Sequence, residues 1–322
     1  MKISALGKLL SMLFISALIF TACESTTDTD DPVDTRKPEP PTNLMATSVS
    51  DSEILLNWTP SVSESDSLFE AYTLYVSSQG GGPLSPVELH PGDRPYTIDG
   101  LDEGVIYTFE LEAKFTNAEV SETRATVQWS PASRFNQDYV SQPIEVYEYT
   151  SDFGSGLDLF YYENESTMGP RVLTVGDKAD WNLGIDTRDG EILVMPASEI
   201  SYATSEPDPT DETEINNMFY VADALNAVLD SAALNTFGDY SPTQTFDLNA
   251  DYIDPDHGVV LLVRSRASSD DEWSYSKVLI KRAPNGGWLQ GTGDNEYLEM
   301  VISFQRTPGV PYAKFSKAGG AE

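Results

Sequence analysis

The chain has 322 residues, 52 acidic against 19 basic side chains and a formal net charge of −33. Such a surface repels phosphate backbones and anionic headgroups, which argues against nucleic acid as a partner and against membrane attachment through the folded surface. With 40% apolar and 11% aromatic residues the chain can bury real cores, and its length suits two domains. Lys2 and Lys8 begin an N-terminal segment whose apolar run extends from Leu9 to Phe20, with Thr21 and Ala22 behind it. That order, basic then apolar then small, predicts a signal peptide over residues 1–22. The apolar run is about a dozen residues, short of the roughly 20 that a spanning helix needs.

Cys23 follows directly and is the only cysteine, so no intramolecular disulfide can form. Small residues before a lone cysteine resemble the lipobox of bacterial lipoproteins. The resemblance implies that the Cys23 thiol is acylated and that lipid, not protein surface, attaches the chain to a membrane. Residues 23–39 are rich in Asp, Thr and Pro without apolar periodicity, which reads as a solvated acidic tether. Fully extended it reaches on the order of 55 Å at about 3.3 Å per residue. Glu24 stands where the retention signal of inner-membrane lipoproteins has aspartate. By that resemblance the expected location is the outer membrane, at the cell surface.

From residue 40 to 132 the pattern is short strands with turn punctuation. Glu53 to Trp58 reads as a strand with a buried tryptophan, and Ala71 to Val76 places Tyr72, Leu74 and Val76 on one face. Leu101, Gly104 and Tyr107 precede the alternating Phe109, Leu111 and Ala113. These spacings, with Pro40-Pro41 at the start and Trp58 in the second strand, resemble a fibronectin type III module and its tyrosine corner. The resemblance makes Trp58 and Tyr107 core residues. His90, in Leu89-His90-Pro91-Gly92, reads as a solvated loop side chain.

Residues 133–148 read as a linker, 149–316 as a second β domain, and 317–322 as a tail. Leu157 to Tyr162 and Pro170 to Val175 are expected to pair as strands. Asp180 to Asp186 reads as an alternating strand with Trp181, Leu183 and Ile185 on one face, followed by Glu191 to Met195. One helix is expected from Thr213 to Leu234, because 217–233 lack Gly and Pro and space Phe219, Val221, Ala224 and Val228 as a stripe. Val259 to Ser265, Ser276 to Lys281 and Leu298 to Gln305 are the closing strands. The fold class is therefore mainly all-β: a fibronectin-like sandwich, then a predominantly antiparallel domain with one helix.

The order Phe160-Tyr161-Tyr162, Asp180-Trp181-Asn182, Val260 to Arg264, Ser276-Lys277-Val278 and Val301 to Phe304 resembles the HmuY-type haem-binding lipoproteins over about 160 residues. The resemblance implies haem as the cofactor, captured outside the cell and passed to an outer-membrane receptor. It requires two axial ligands in a water-poor slot. The candidates here are Met218, in the middle region; His257, in the turn Asp254-Pro255-Asp256-His257-Gly258; and Tyr240, as a phenolate. Arg264 and Lys277 are the candidates to hold the propionates. An enzyme is not expected, since neither histidine has a nucleophile beside it in sequence and Gly80-Gly81-Gly82 lacks the Lys-Ser/Thr of a phosphate loop. No other metal site is expected. The alternative to haem capture is a surface adhesion or structural lipoprotein whose β domains bind protein or glycan.

Overall fold

The computed structural model describes residues 35–134, 144–149, 151–164, 167–221, 233–250, 256–305 and 307–313. Cys23 and the proposed leader lie outside them. Everything from Arg36 onward belongs to one compact unit.

The first sandwich contains seven strands: β1 (Thr42–Ser48), β2 (Ile54–Thr59), β3 (Phe69–Ser78), β4 (Val87–Leu89), β5 (Tyr96–Ile98), β6 (Tyr107–Phe115) and β7 (Ala125–Trp129). One sheet runs β1-β2-β5 and the other β4-β3-β6-β7, all antiparallel. The alternation seen in the sequence fixes which side chains face inward. Ile54, Leu56 and Trp58 from β2 meet Tyr72, Leu74 and Val76 from β3 and Phe109, Leu111 and Ala113 from β6 in one core. Trp58 and Tyr72 meet edge to face, with ring centres 5.6 Å apart. Leu101 is buried, and the Tyr107 hydroxyl accepts the Asp102 backbone N–H at 3.0 Å, which closes the corner ahead of β6. The expected tether ends docked rather than solvated: Arg36 pairs with Asp66 at 3.0 Å, and the Ser61 hydroxyl donates to the Glu39 carbonyl at 2.6 Å.

The second sandwich begins inside the segment expected as a linker. Strand β8 (Ser133–Arg134) and β9 (Ile144–Tyr147) both pair with the last strand, β19 (Tyr297–Phe304). A seven-stranded sheet joins these three to β14 (Glu212–Val221), β15 (Tyr240–Ser241), β17 (Val259–Arg266) and β18 (Ser274–Ile280), in the path β15-β14-β17-β18-β19. The facing sheet runs β11-β10-β12-β13-β16, from β10 (Gly156–Asn164), β11 (Thr167–Leu173), β12 (Leu183–Asp186), β13 (Leu193–Pro196) and β16 (Phe246–Asp247). Leu157, Ile185 and Val194 from one sheet pack on Ile215, Leu261, Val278 and Met300 from the other.

Two expectations change here. The stretch 212–221 is a strand, not the start of a helix; residues 222–232 of that expectation lie outside the described residues, and Leu234, its last residue, opens a 3-10 turn (Leu234–Thr236). Ile215, Phe219 and Val221 each find a cross-strand partner in Val263, Leu261 and Val259, so sheet pairing overrides a helical stripe. Trp181 does not share the face of Leu183 and Ile185. It ends a 3-10 turn (Val175–Asp180) and packs with Met195, Ala197 and Ile200 in a separate cluster. Gly156 lets it lie there, because a Cβ at that position would overlap the indole.

The two sandwiches keep separate cores, but the segment after the second reaches into the first. After β19 the chain turns back, and Val310 and Tyr312 pack into the core of the first sandwich, the Tyr312 ring 5.0 Å from that of Trp129. Gln305, fully buried, donates to the carbonyls of Pro131 at 3.2 Å and Tyr312 at 3.0 Å and so ties the crossing to the end of β7. Gly104 turns at φ +79° in the first sandwich, and a side chain there would collide with Thr307.

Candidate functional site

Sheet pairing places two of the expected haem ligands on one edge and the third elsewhere. Between Ile215↔Val263 and Phe219↔Leu261, residues 216–218 oppose Leu262 alone, so Met218 sits in a bulge. Its side chain is 40% exposed. Asn216 stands opposite Tyr240, and Asn217 exchanges hydrogen bonds with Asp239, which fastens β15 to this bulge. Tyr240 is half-buried; its hydroxyl donates to the Leu234 carbonyl at 3.0 Å and the Arg264 guanidinium lies over its ring at 4.5 Å. His257 lies in a turn before β17, and its carbonyl accepts from Arg282 Nε at 3.3 Å. From the Met218 bulge, opposite Leu262, to His257 is five residues of chain, on the order of 16 Å at strand rise. Met218 and Tyr240 are therefore neighbours, and His257 does not face them across a common slot.

The expected propionate partners are engaged otherwise. Arg264 Nε donates to Glu214 at 2.7 Å, and its guanidinium is stacked between Tyr240 and Trp273, the latter at 4.1 Å. Lys277 is fully buried, with its ammonium 5.6 Å from the centre of the Trp129 ring. Both cations thus serve the outer face of the seven-stranded sheet, where paired charge and ring stacking replace solvent. His90 is exposed, as expected for its loop, and its N–H donates to Asp93 at 2.7 Å.

The described cleft of greatest interest opens beside Arg266, at the end of β17. Its volume is ≈ 600 Å³ and its walls include Phe160, Asp211, Ser265, Arg266, Glu272 and Pro308. That size falls within the usual range for small-ligand pockets. Arg266 is held by Glu212 at 2.7 Å and by the Ser269 carbonyl at 3.0 Å, with its guanidinium 4.1 Å from the Trp273 ring. Beneath the cleft lies a buried polar hub. Asn182 accepts the Leu159 N–H at 2.6 Å and donates to Ser265 at 3.0 Å, Thr213 at 3.4 Å and Asp211 at 3.3 Å. Sequence reasoning missed this hub. Asn182 stands beside Trp181 in the sequence pattern, but its partners lie 23, 29, 31 and 83 residues away.

Asp158, on β10, is paired with Arg171 at 3.0 Å; burial pushes its carboxyl up, against the lowering effect of that arginine. Arg171 in turn lies 3.7 Å over the Tyr161 ring. Among the described residues no group of three or more His, Cys, Asp or Glu side chains is placed to hold a metal ion, and no helix is long and apolar enough to cross a membrane.

Residues 39–118 match the family model described as fibronectin type III domain, and with the corner geometry at Tyr107 they form such a domain. Similar solved structures include the FN5 domain of Drosophila Lar, at 18% identity over 30% of this chain and 99% of that one, with a TM-score of 0.23. A domain of human collagen XX is 23% identical over 28% of this chain and 90% of that one, with a TM-score of 0.23. A two-domain segment of chicken tenascin is 14% identical over 74% of this chain and 97% of that one, with a TM-score of 0.25. No curated protein matches the chain. Domains of this type are typically binding or structural modules.

Proposed function

We propose that the chain is an exported, non-enzymatic lipoprotein, held at the cell surface through acyl chains on Cys23, whose joined sandwiches act as a binding or adhesive unit. The observation that carries this reading is the joint between the sandwiches. Val310 and Tyr312 from the end of the second sandwich complete the core of the first, so the two present one stiff surface beyond the tether. A stiff pair loses little conformational freedom when a partner docks, which favours display and adhesion. The tether is tested by changing Cys23→Ser and fractionating the cells. The wild type is expected in detergent-extracted membranes and at the protease-accessible surface, the variant in the soluble fraction. A serine form that still sediments with membranes ends the tether reading.

Haem capture for an outer-membrane receptor is the second reading. It rests on Met218 and Tyr240 sharing the β14–β15 edge, with Met218 partly exposed. Its test is a Soret band on adding haemin that disappears with Met218→Ala. Adhesion is preferred because the Tyr240 hydroxyl, Arg264 and Lys277 already have structural roles.

A further inference from the structure

One face of the second sandwich carries a row of aromatic rings that the core does not need. In the β9–β19 pair, Val146 and Leu298 point into the core while Tyr147 and Tyr297, directly opposite each other, point out. Their ring centres are 5.2 Å apart, and Phe153 extends the row, 5.1 Å from Tyr147. Phe153 is 61% exposed yet firmly placed: the Tyr147 N–H bonds to the Gly154 carbonyl at 2.9 Å, and the Phe153 N–H to the Ser151 hydroxyl at 3.1 Å. A phenylalanine held out in water by an ordered loop is a place where a partner would gain from covering it.

The charges around the row are of one sign. Glu145 accepts the Tyr147 hydroxyl, and that bond pushes the Tyr147 phenol up to about 12; burial, and then the Glu145 charge, push the Tyr297 phenol up. Glu148, Asp152 and Glu296 adjoin the three rings in sequence, and the nearby Lys281 is paired to Glu299. Ring faces are negative by their quadrupole and carboxylates by charge, so both select a cation.

We infer that the Phe153–Tyr147–Tyr297 row, with Glu145, is a docking surface for the cationic side chains of a basic polypeptide. Neutral glycan would use the rings but leave the carboxylates without a counter-charge; the basic chain uses both. This inference rests on the sandwiches being a binding unit and not on the tether, since binding is measured in solution and the Cys23→Ser fractionation tests the tether alone.

The probe is a lysine hexapeptide, titrated into the full chain by calorimetry at fixed ionic strength, beside the same peptide with acetylated lysines and a neutral glucose hexasaccharide. Only the charged peptide is expected to bind. Phe153→Ala should weaken it about threefold to fivefold, the range for one cation–ring contact at an exposed site. Phe153→Leu, which keeps apolar area and loses the ring, should weaken it as much, while Val62→Ala, at an exposed residue of the first sandwich, should leave it unchanged. Circular dichroism verifies that each variant is folded. Equal affinity in the wild type and both Phe153 variants would reduce the effect to bulk negative charge and overturn the proposal. Phe153-dependent binding of the hexasaccharide or the acetylated peptide would overturn it too.

Discussion

Polar groups are buried differently in the two sandwiches. In the first, the Ser121 hydroxyl accepts the Ala113 N–H at 3.1 Å and donates to the Thr123 carbonyl at 2.9 Å within a single hairpin, and the Ser48 hydroxyl accepts from Trp129 Nε1 at 2.8 Å to tie β1 to β7. In the second, Asn182 alone ties β10, β14 and β17 together across the middle of the sandwich. The corner at Tyr107 in the first closes within five residues and can be specified by a short motif. The other half depends on contacts that exist only after distant strands have met, so a lost partner there strands a donor in the interior. The crossing at 305–313 binds the two kinds of construction into one unit.

The largest effect should come from cutting that crossing. Tyr312→Ala removes a buried ring from the first core and its contact with Trp129, at a cost of about 3 kcal/mol. If this joint makes the sandwiches cooperate, the wild type unfolds in a single calorimetric transition and the variant in two, with the fibronectin-like half melting first. Two transitions already present in the wild type would show the halves to be independent. Next comes Gly156→Ala, confined to the second sandwich. The added methyl overlaps the Trp181 indole and should cost about 1–3 kcal/mol, read as a fall in urea midpoint. A neutral outcome would mean that the Trp181 cluster yields more easily than its full burial implies.

How much could be read beforehand follows the same division. Leu101, Gly104 and Tyr107 lie within seven residues, so spacing alone was enough to anticipate the corner that Tyr107 makes with Asp102. The closing strands were also legible, because Val259 to Val263 are buried in succession between two clusters and leave a continuous apolar run. By contrast, 212–221 carried a helix-like stripe, and only the presence of β17 beside it makes a strand. The candidate ligands suffered similarly. Chain position put Met218 in the middle region, where the resemblance expects ligands, but whether His257 faces it depends on a strand register that no local pattern encodes. The aromatic row was invisible for the same reason, since Tyr147 and Tyr297 are 150 residues apart and meet only through pairing.

Tyr107→Phe probes the local half with a smaller change. Losing the hydroxyl leaves the Asp102 N–H without its acceptor, which should cost about 1 kcal/mol and lower the denaturation midpoint while the ring keeps its packing. Near-wild-type stability would mean that water takes over the bond at the corner, and that the motif identifies the fold without holding it.

The smallest expected effect depends on pH. Asp186, at the end of β12, is held below the ordinary carboxylate range by its hydrogen bonds from Arg188, the side-chain bond at 2.9 Å first among them. A carboxyl whose folded pKa is depressed adds stability above its unfolded pKa and loses it as pH falls through the folded value. Arg188→Leu should therefore destabilise by about 0.5–1 kcal/mol near neutrality, the scale of a partly exposed ion pair. The gap between wild type and variant should close as Asp186 protonates below about pH 4. Urea midpoints at pH 7 and pH 3 measure both ends. A gap of equal size at the two values would assign the loss to packing of the Arg188 side chain near Tyr149 and Tyr202 rather than to charge, and would place this edge of the second sandwich under the same apolar control as the first.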